Sequence, residues 1–171
     1  MARKPVYTIP YKWNKEVWIV TSALFVGLVG TILFLIYGFV KGMDHGLLYS
    51  LMLLVVILLG LIIGCEGYAP QYLEVGDDRI VIVRRYAGVT IHRTEIISVR
   101  PLSSKDFRGV LRLCGCDGLF GYMGKYWSKK LGKFSLYATS KSNLFLINTT
   151  TRGKIVLGCS EPEKMLEFWP E

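Results

Sequence analysis

The sequence predicts a two-helix transmembrane hairpin followed by a mainly β domain that bends into a barrel and ends in one α-helix. Three observations carry this. Two long apolar runs without a charge lie within the first 65 of 171 residues. Short segments of alternating β-branched residues, parted by turn residues, come next. The period becomes helical only after Cys159.

The first run, Val17 to Val40, has 24 uncharged residues, and the second, Gly46 to Cys65, has 20. At about 1.5 Å per residue they reach roughly 36 and 30 Å, enough for a hydrocarbon core of about 30 Å. A buried helix pair in a soluble core is the competing reading, and runs of this length disfavour it. A cleaved signal peptide fits worse, because the first run starts late, exceeds about 15 residues and lacks a small-residue exit.

The link Lys41 to His45 is short, so the spans should form an antiparallel hairpin with both ends on one side. Arg3, Lys4, Lys12 and Lys15 precede the hairpin, and Arg79, Arg84 and Arg85 follow it. Its loop offers only Lys41, beside Asp44. Basic residues favour the cytoplasmic side, so both termini are expected there. Trp13, Trp18, Tyr37 and Tyr49 sit near span ends, where amphipathic rings favour the interface. Gly60 and Gly64 form G-x-x-x-G, a face for helix packing against the first span, another protein or a second copy.

The expected organisation is a cytoplasmic N-terminal segment at 1–16, the hairpin at 17–65 and a cytoplasmic domain at 66–171. That domain carries sixteen basic and eleven acidic residues. The surplus is concentrated in Arg79 to Lys133, with twelve basic against three acidic, whereas Phe134 to Glu171 balances. Cys65 ends a span, and Cys114, Cys116 and Cys159 would face a reducing cytosol, where no structural disulfide is expected.

The strands follow in order. "QYLEV" leads through "GDD" into "RIVIVRR", whose alternating residues suit a sheet with two faces. "VTIHR", "IISVRPL" and a shorter "VLRLC" come next, with His92 expected on the exposed face of its strand. After a glycine-rich interval the strands resume as "KFSLYAT", "NLFLINTT" and "KIVLGC". "SEPEKMLEFW" then offers Ser160 as N-cap, Pro162 in the first turn and Glu163 three residues past the cap. Met165, Phe168 and Trp169 share one face of that helix, suited to plugging an open barrel end.

The order "DDRIVIVRRYAG", "TEIISVRPL", "GLFGYMGK", "LYAT" and "GKIVLGCSEPEKMLEF" resembles bacterial pleckstrin-homology-like (PH-like) domain proteins, specifically those with two membrane spans before the domain. The resemblance covers roughly Gln71 to Phe168. It implies a PH-like barrel of about seven antiparallel strands with a C-terminal helix, in a protein of the bacterial inner membrane. It implies little chemistry, because such folds serve many partners. Cys114-Gly115-Cys116 departs from the expected glycine- and serine-rich form, so no cysteine function is carried over.

The glycine-rich interval, Leu113 to Phe134, is where chemistry would be sought. A metal clip needs about four ligands, and Cys114 and Cys116 find no spaced partners. Gly115, Gly118, Gly121 and Gly124 match neither a phosphate-binding loop nor a dinucleotide fingerprint, and read as turn chemistry. No nucleophile setting is recognisable. No catalytic residue, metal or cofactor is therefore expected, and the protein reads as a non-enzyme.

What remains is basic residues interleaved with aromatics. Phe120, Tyr122, Tyr126 and Trp127 alternate with Lys125, Lys129, Lys130 and Lys133, and Arg84 and Arg85 add charge nearby in sequence. Two readings stay open: the rings enter the headgroup zone while each cation contributes about 1 kcal/mol against anionic lipid, or the rings pack on the barrel and leave the lysines solvated. The function expected is a membrane-anchored interaction module for anionic headgroups or an acidic protein. The alternative is an accessory or scaffolding subunit of a larger membrane complex. Nucleic acid ranks below both, for want of a motif.

Overall fold

The computed structural model describes residues 6–103, 106–107 and 109–169. Three α-helices and ten strands are present among them. The chain opens with β1 (Tyr7–Pro10), then α1 (Lys15–Val40) and α2 (His45–Tyr68). Asn14 caps α1 by accepting from the Val17 amide at 2.9 Å, and Asp44 caps α2 through the Leu47 amide at 2.9 Å. Gly38 lets the hairpin close, since a β-carbon there would meet Leu48 and Met43 at 2.9 Å.

Both helices are long and apolar enough to cross a bilayer, and only 11% of each most apolar window is buried within the chain. Core helices of a soluble domain would be mostly covered. Here Val26 and Phe39 are 72% and 77% exposed.

The first sheet runs β1–β2–β3–β4, all antiparallel, with β2 (Pro70–Val75), β3 (Arg79–Arg84) and β4 (Val89–His92). A 3-10 turn at Arg93–Glu95 leads to the second sheet. Its strands are β5 (Ile96–Leu102), β6 (Leu111–Asp117), β7 (Tyr122–Ser128), β8 (Gly132–Ala138), β9 (Leu144–Thr149) and β10 (Gly153–Gly158). Their order is β5–β9–β10–β8–β7–β6, and the β10–β8 pair is parallel.

Three expectations are corrected here. The strands number ten rather than about seven. They form two separate sheets, not one closed barrel, and one pair is parallel. Two strands account for much of the surplus: β1, which lies before the hairpin, and β7, which the glycine-rich interval conceals. The mainly β composition and the terminal helix stand as expected.

β1 makes the anchor part of the domain. It pairs with β2 from Tyr7↔Val75 to Pro10↔Tyr72, so the whole helical hairpin is inserted between two neighbouring strands. The linker before α1 is tied down as well. Tyr11 donates its amide to the Gln71 carbonyl at 3.1 Å, and Asn14 donates its amide to Thr139 at 3.3 Å. Both helix ends that meet the domain therefore lie on the same side.

The principal core lies between the sheets. Ile9, Leu73, Ile80, Ile82 and Ile91 face Phe145, Ile147, Ile155 and Leu157 there. The last helix, α3 (Pro162–Phe168), adds Met165, Phe168 and Trp169 to this core, as its apolar stripe requires. Its start differs from the capping box. Glu161 occupies the N-cap without a side-chain bond, and Ser160 Oγ instead donates to the Pro10 carbonyl at 2.7 Å. A tertiary contact to β1 has taken the hydroxyl that local pattern assigned to the helix.

Candidate functional site

The glycine-rich interval folds as the β6–β7 ribbon, whose tip is held against the helices. The Phe120 amide donates to Thr21 Oγ1 at 3.3 Å, and the Phe120 ring meets Trp13 and Phe25 edge-on at 5.8 and 6.4 Å. Phe120 takes a left-handed backbone, φ 58°, to make this turn. Leu28, Ile62, Phe120 and Met123 form an apolar cluster where helices and ribbon meet.

A polar network closes the base of α1. Tyr122 donates its hydroxyl to Glu16 Oε2 at 2.7 Å and receives Asn14 Nδ2 at 3.2 Å. Lys141 reaches the same carboxylate at 3.0 Å and lies 4.6 Å from the Tyr122 ring centre. Burial, then the bond to Glu16, pushes the Tyr122 phenol above its ordinary pKa. Burial works to lower the Lys141 pKa, but the hydrogen bond to Glu16 together with the charges of Tyr122, Glu16 and Asp117 outweighs it and leaves the pKa raised. Tyr126 donates to the Cys116 carbonyl at 2.9 Å, and burial raises its pKa strongly.

Burial divides the four rings. Phe120, Tyr122 and Tyr126 are 7%, 2% and 3% exposed, so they are the chain's own packing. Trp127 alone of the four remains open, at 37%. Lys125 donates to Ser135 Oγ at 2.8 Å, and Lys130 pairs with Asp106 at 3.2 Å. Lys129 and Lys133 are exposed, and Lys133 sits directly across from Trp127.

Arg84 and Arg85 go separate ways. Arg85 pairs with Glu66 at 2.8 Å, at the end of α2. Arg84 turns inward, its guanidinium 5.6 Å from the Tyr68 ring centre and 5.4 Å from that of Tyr137. It donates to the Ala87 carbonyl through a terminal nitrogen, while its Nε is buried without a partner. Gly60 and Gly64 face open space: a β-carbon on either would have nothing within 4 Å, so α1 does not pack there.

The cysteines overturn one expectation. Cys65 and Cys116 form a disulfide, with Cα atoms 6.6 Å apart across 51 residues. The end of α2 lies beside β6 and brings its cysteine onto that strand, so proximity in the fold makes the pair. Cys114 is a free, exposed thiol, and Cys159 a free, buried one. Among the described residues, no group of three or more His, Cys, Asp or Glu side chains converges as a metal site would.

The features that sequence reasoning missed are β1, the disulfide and the orphaned Arg84 Nε. Of these, only the aromatic neighbours of Arg84 carry any signal, as isolated tyrosines in two distant segments.

A mainly β domain behind two long apolar helices and ending in a short helix fits the class of general interaction modules. The family description "Bacterial PH domain" matches residues 72–170, more than half of the chain, and the protein belongs to that family. No curated protein and no solved structure matches it.

Proposed function

We propose that this protein is a non-enzymatic membrane-anchored module whose domain lies in the cytoplasm, at the bacterial inner membrane, and binds an acidic protein segment. Insertion of the hairpin between β1 and β2 supports a shared side for both ends, and the basic residues before and after the spans favour the cytoplasmic face. The partner side is supported above all by β6. Among the described residues this seven-residue strand pairs only with β7, and Leu111 and Leu113 are 58% and 55% exposed. An edge with open backbone groups and exposed leucines accepts an added strand. Arg112, with Lys133 and Trp127 on the neighbouring strands, gives that strand a cationic setting.

The test is a photo-crosslinking residue placed at Leu113 in the full-length protein in native membranes, with Ile97 on the opposite edge as control. The expected result is one stoichiometric companion from Leu113 that disappears with Arg112→Glu. Identical companions from both edges, unaffected by charge reversal, would remove the β6 reading. One observation favours the opposite orientation: a Cys65–Cys116 bridge persists more readily in an oxidising compartment. A membrane-impermeant maleimide applied to intact cells decides this, because Cys114 is exposed. Labelling of Cys114 would put the domain outside.

A further inference from the structure

Where α2 leaves its apolar stretch, a cavity of about 350 Å³ opens between the helix and the two sheets. Gly60 and Gly64 form its helix side, Gly115 and Gly124 a side-chain-free floor, and Arg84 its end beside Tyr68 and Tyr137. The volume is at the small end of roughly 300–1,000 Å³ for ligand pockets, enough for part of one chain and one head.

Four glycines meeting at one cavity keep it open. A β-carbon at Gly60 or Gly64 would enter free space, so no packing demand accounts for their smallness. Polarity is ordered along the helix. Gly60, Leu61 and Gly64 form the apolar part, and Tyr68 with Arg84 lies about 12 Å further on, eight residues at about 1.5 Å each.

The charge at that end is unbalanced. Glu66, the nearby carboxylate, is taken by Arg85, and among the described residues no carboxylate pairs with Arg84. The Arg84 Nε is buried without a hydrogen-bond partner. A buried cationic donor left open costs free energy unless an anion reaches it, and the fork of a guanidinium suits phosphate oxygens.

We propose that this cavity holds one anionic phospholipid, its phosphate on Arg84 and the start of an acyl chain along Gly60 and Gly64. An acidic peptide would satisfy Arg84 but leaves the apolar, bilayer-side half of the cavity unfilled. The inference rests on α1 and α2 spanning the bilayer, and on nothing at β6.

The test is native mass spectrometry of the full-length protein released from nanodiscs of phosphatidylcholine doped with phosphatidylglycerol. One phosphatidylglycerol retained per chain is expected, in preference to phosphatidylcholine and undiminished by millimolar inorganic phosphate. Arg84→Gln should lower retention by roughly tenfold, the loss of one contact to a charged group. Gly64→Leu should do the same by filling the cavity, at a site open enough to leave folding intact. Arg152→Gln, exposed in the turn between β9 and β10, should leave retention unchanged. Equal retention of both lipids, or retention indifferent to Arg84→Gln and Gly64→Leu, overturns the lipid site while the membrane reading stands. A chain recovered in solution without detergent overturns both.

Discussion

Gly115 and Gly124 face each other across β6 and β7 at a separation that excludes any side chain. A β-carbon on Gly115 would fall within the backbone of Met123 and Gly124, and one on Gly124 within that of Cys114 and Gly115. Both residues also hold φ near +130°, a conformation that costs other residues about 1–3 kcal/mol. Gly115→Ala and Gly124→Ala should each destabilise the domain by at least about 2 kcal/mol, seen as a lower melting temperature in detergent. Gly64→Ala, in open helix, should be neutral or stabilising by up to about 1 kcal/mol. Equal melting temperatures for all three would mean the ribbon relaxes freely.

Thr21 is 4% exposed and supplies the acceptor for the Phe120 amide. Thr21→Val keeps the shape and removes the oxygen, leaving a buried N–H unpaired at about 1–3 kcal/mol. Thr21→Ser should recover most of the loss. The measurement is thermal unfolding of the full chain, and a Val variant as stable as the Ser variant would show that the bond contributes nothing.

Legibility in the sequence followed range. The spans, eight of the strands and the apolar stripe of α3 announce themselves within windows of ten to twenty-five residues, because burial imposes a local period on them. β1 did not, since "YTIP" is four residues ending in proline and its partner lies beyond the whole hairpin. β7 was hidden because Gly124 and Lys125 interrupt its apolar character, and Met123 is buried by helices that no strand pattern anticipates. At the site, local reading recognised the basic and aromatic residues but not their separation. Tyr122 and Tyr126 turn inward, Trp127 and Lys133 outward, and Arg84 meets tyrosines from α2 and β8. Such convergence leaves no trace in spacing.

The four cysteines divide two and two, which fixes a labelling count. Denatured protein alkylated without reductant should take two labels, and four after reduction. In the native state Cys114 should react at once and Cys159 slowly. Burial raises the Cys159 thiol pKa, and its Sγ donates to the Glu161 carbonyl at 3.2 Å; the thiolate is the reacting form. Cys65→Ser should free Cys116 as a third label without reductant. Four labels on unreduced wild type would exclude the bridge.

Tyr11 and Tyr126 set the alkaline limit. Burial is the main cause that raises both phenols above the ordinary tyrosine value of about 10, so the fold favours their neutral forms. Their contribution to stability is complete below about pH 10, where unfolded tyrosine begins to ionise. It declines as pH rises further, because the unfolded chain then releases protons that the folded chain retains. Unfolding should therefore steepen above about pH 10, with the tyrosinate absorbance of these two groups appearing together with loss of structure. Tyr126→Phe should flatten the slope while lowering stability at neutral pH, since the bond to the Cys116 carbonyl is lost. A smooth titration of both groups in protein that stays folded would show that their hydroxyls reach water, contrary to the packing of Tyr11 on the core between the sheets and of Tyr126 on β6.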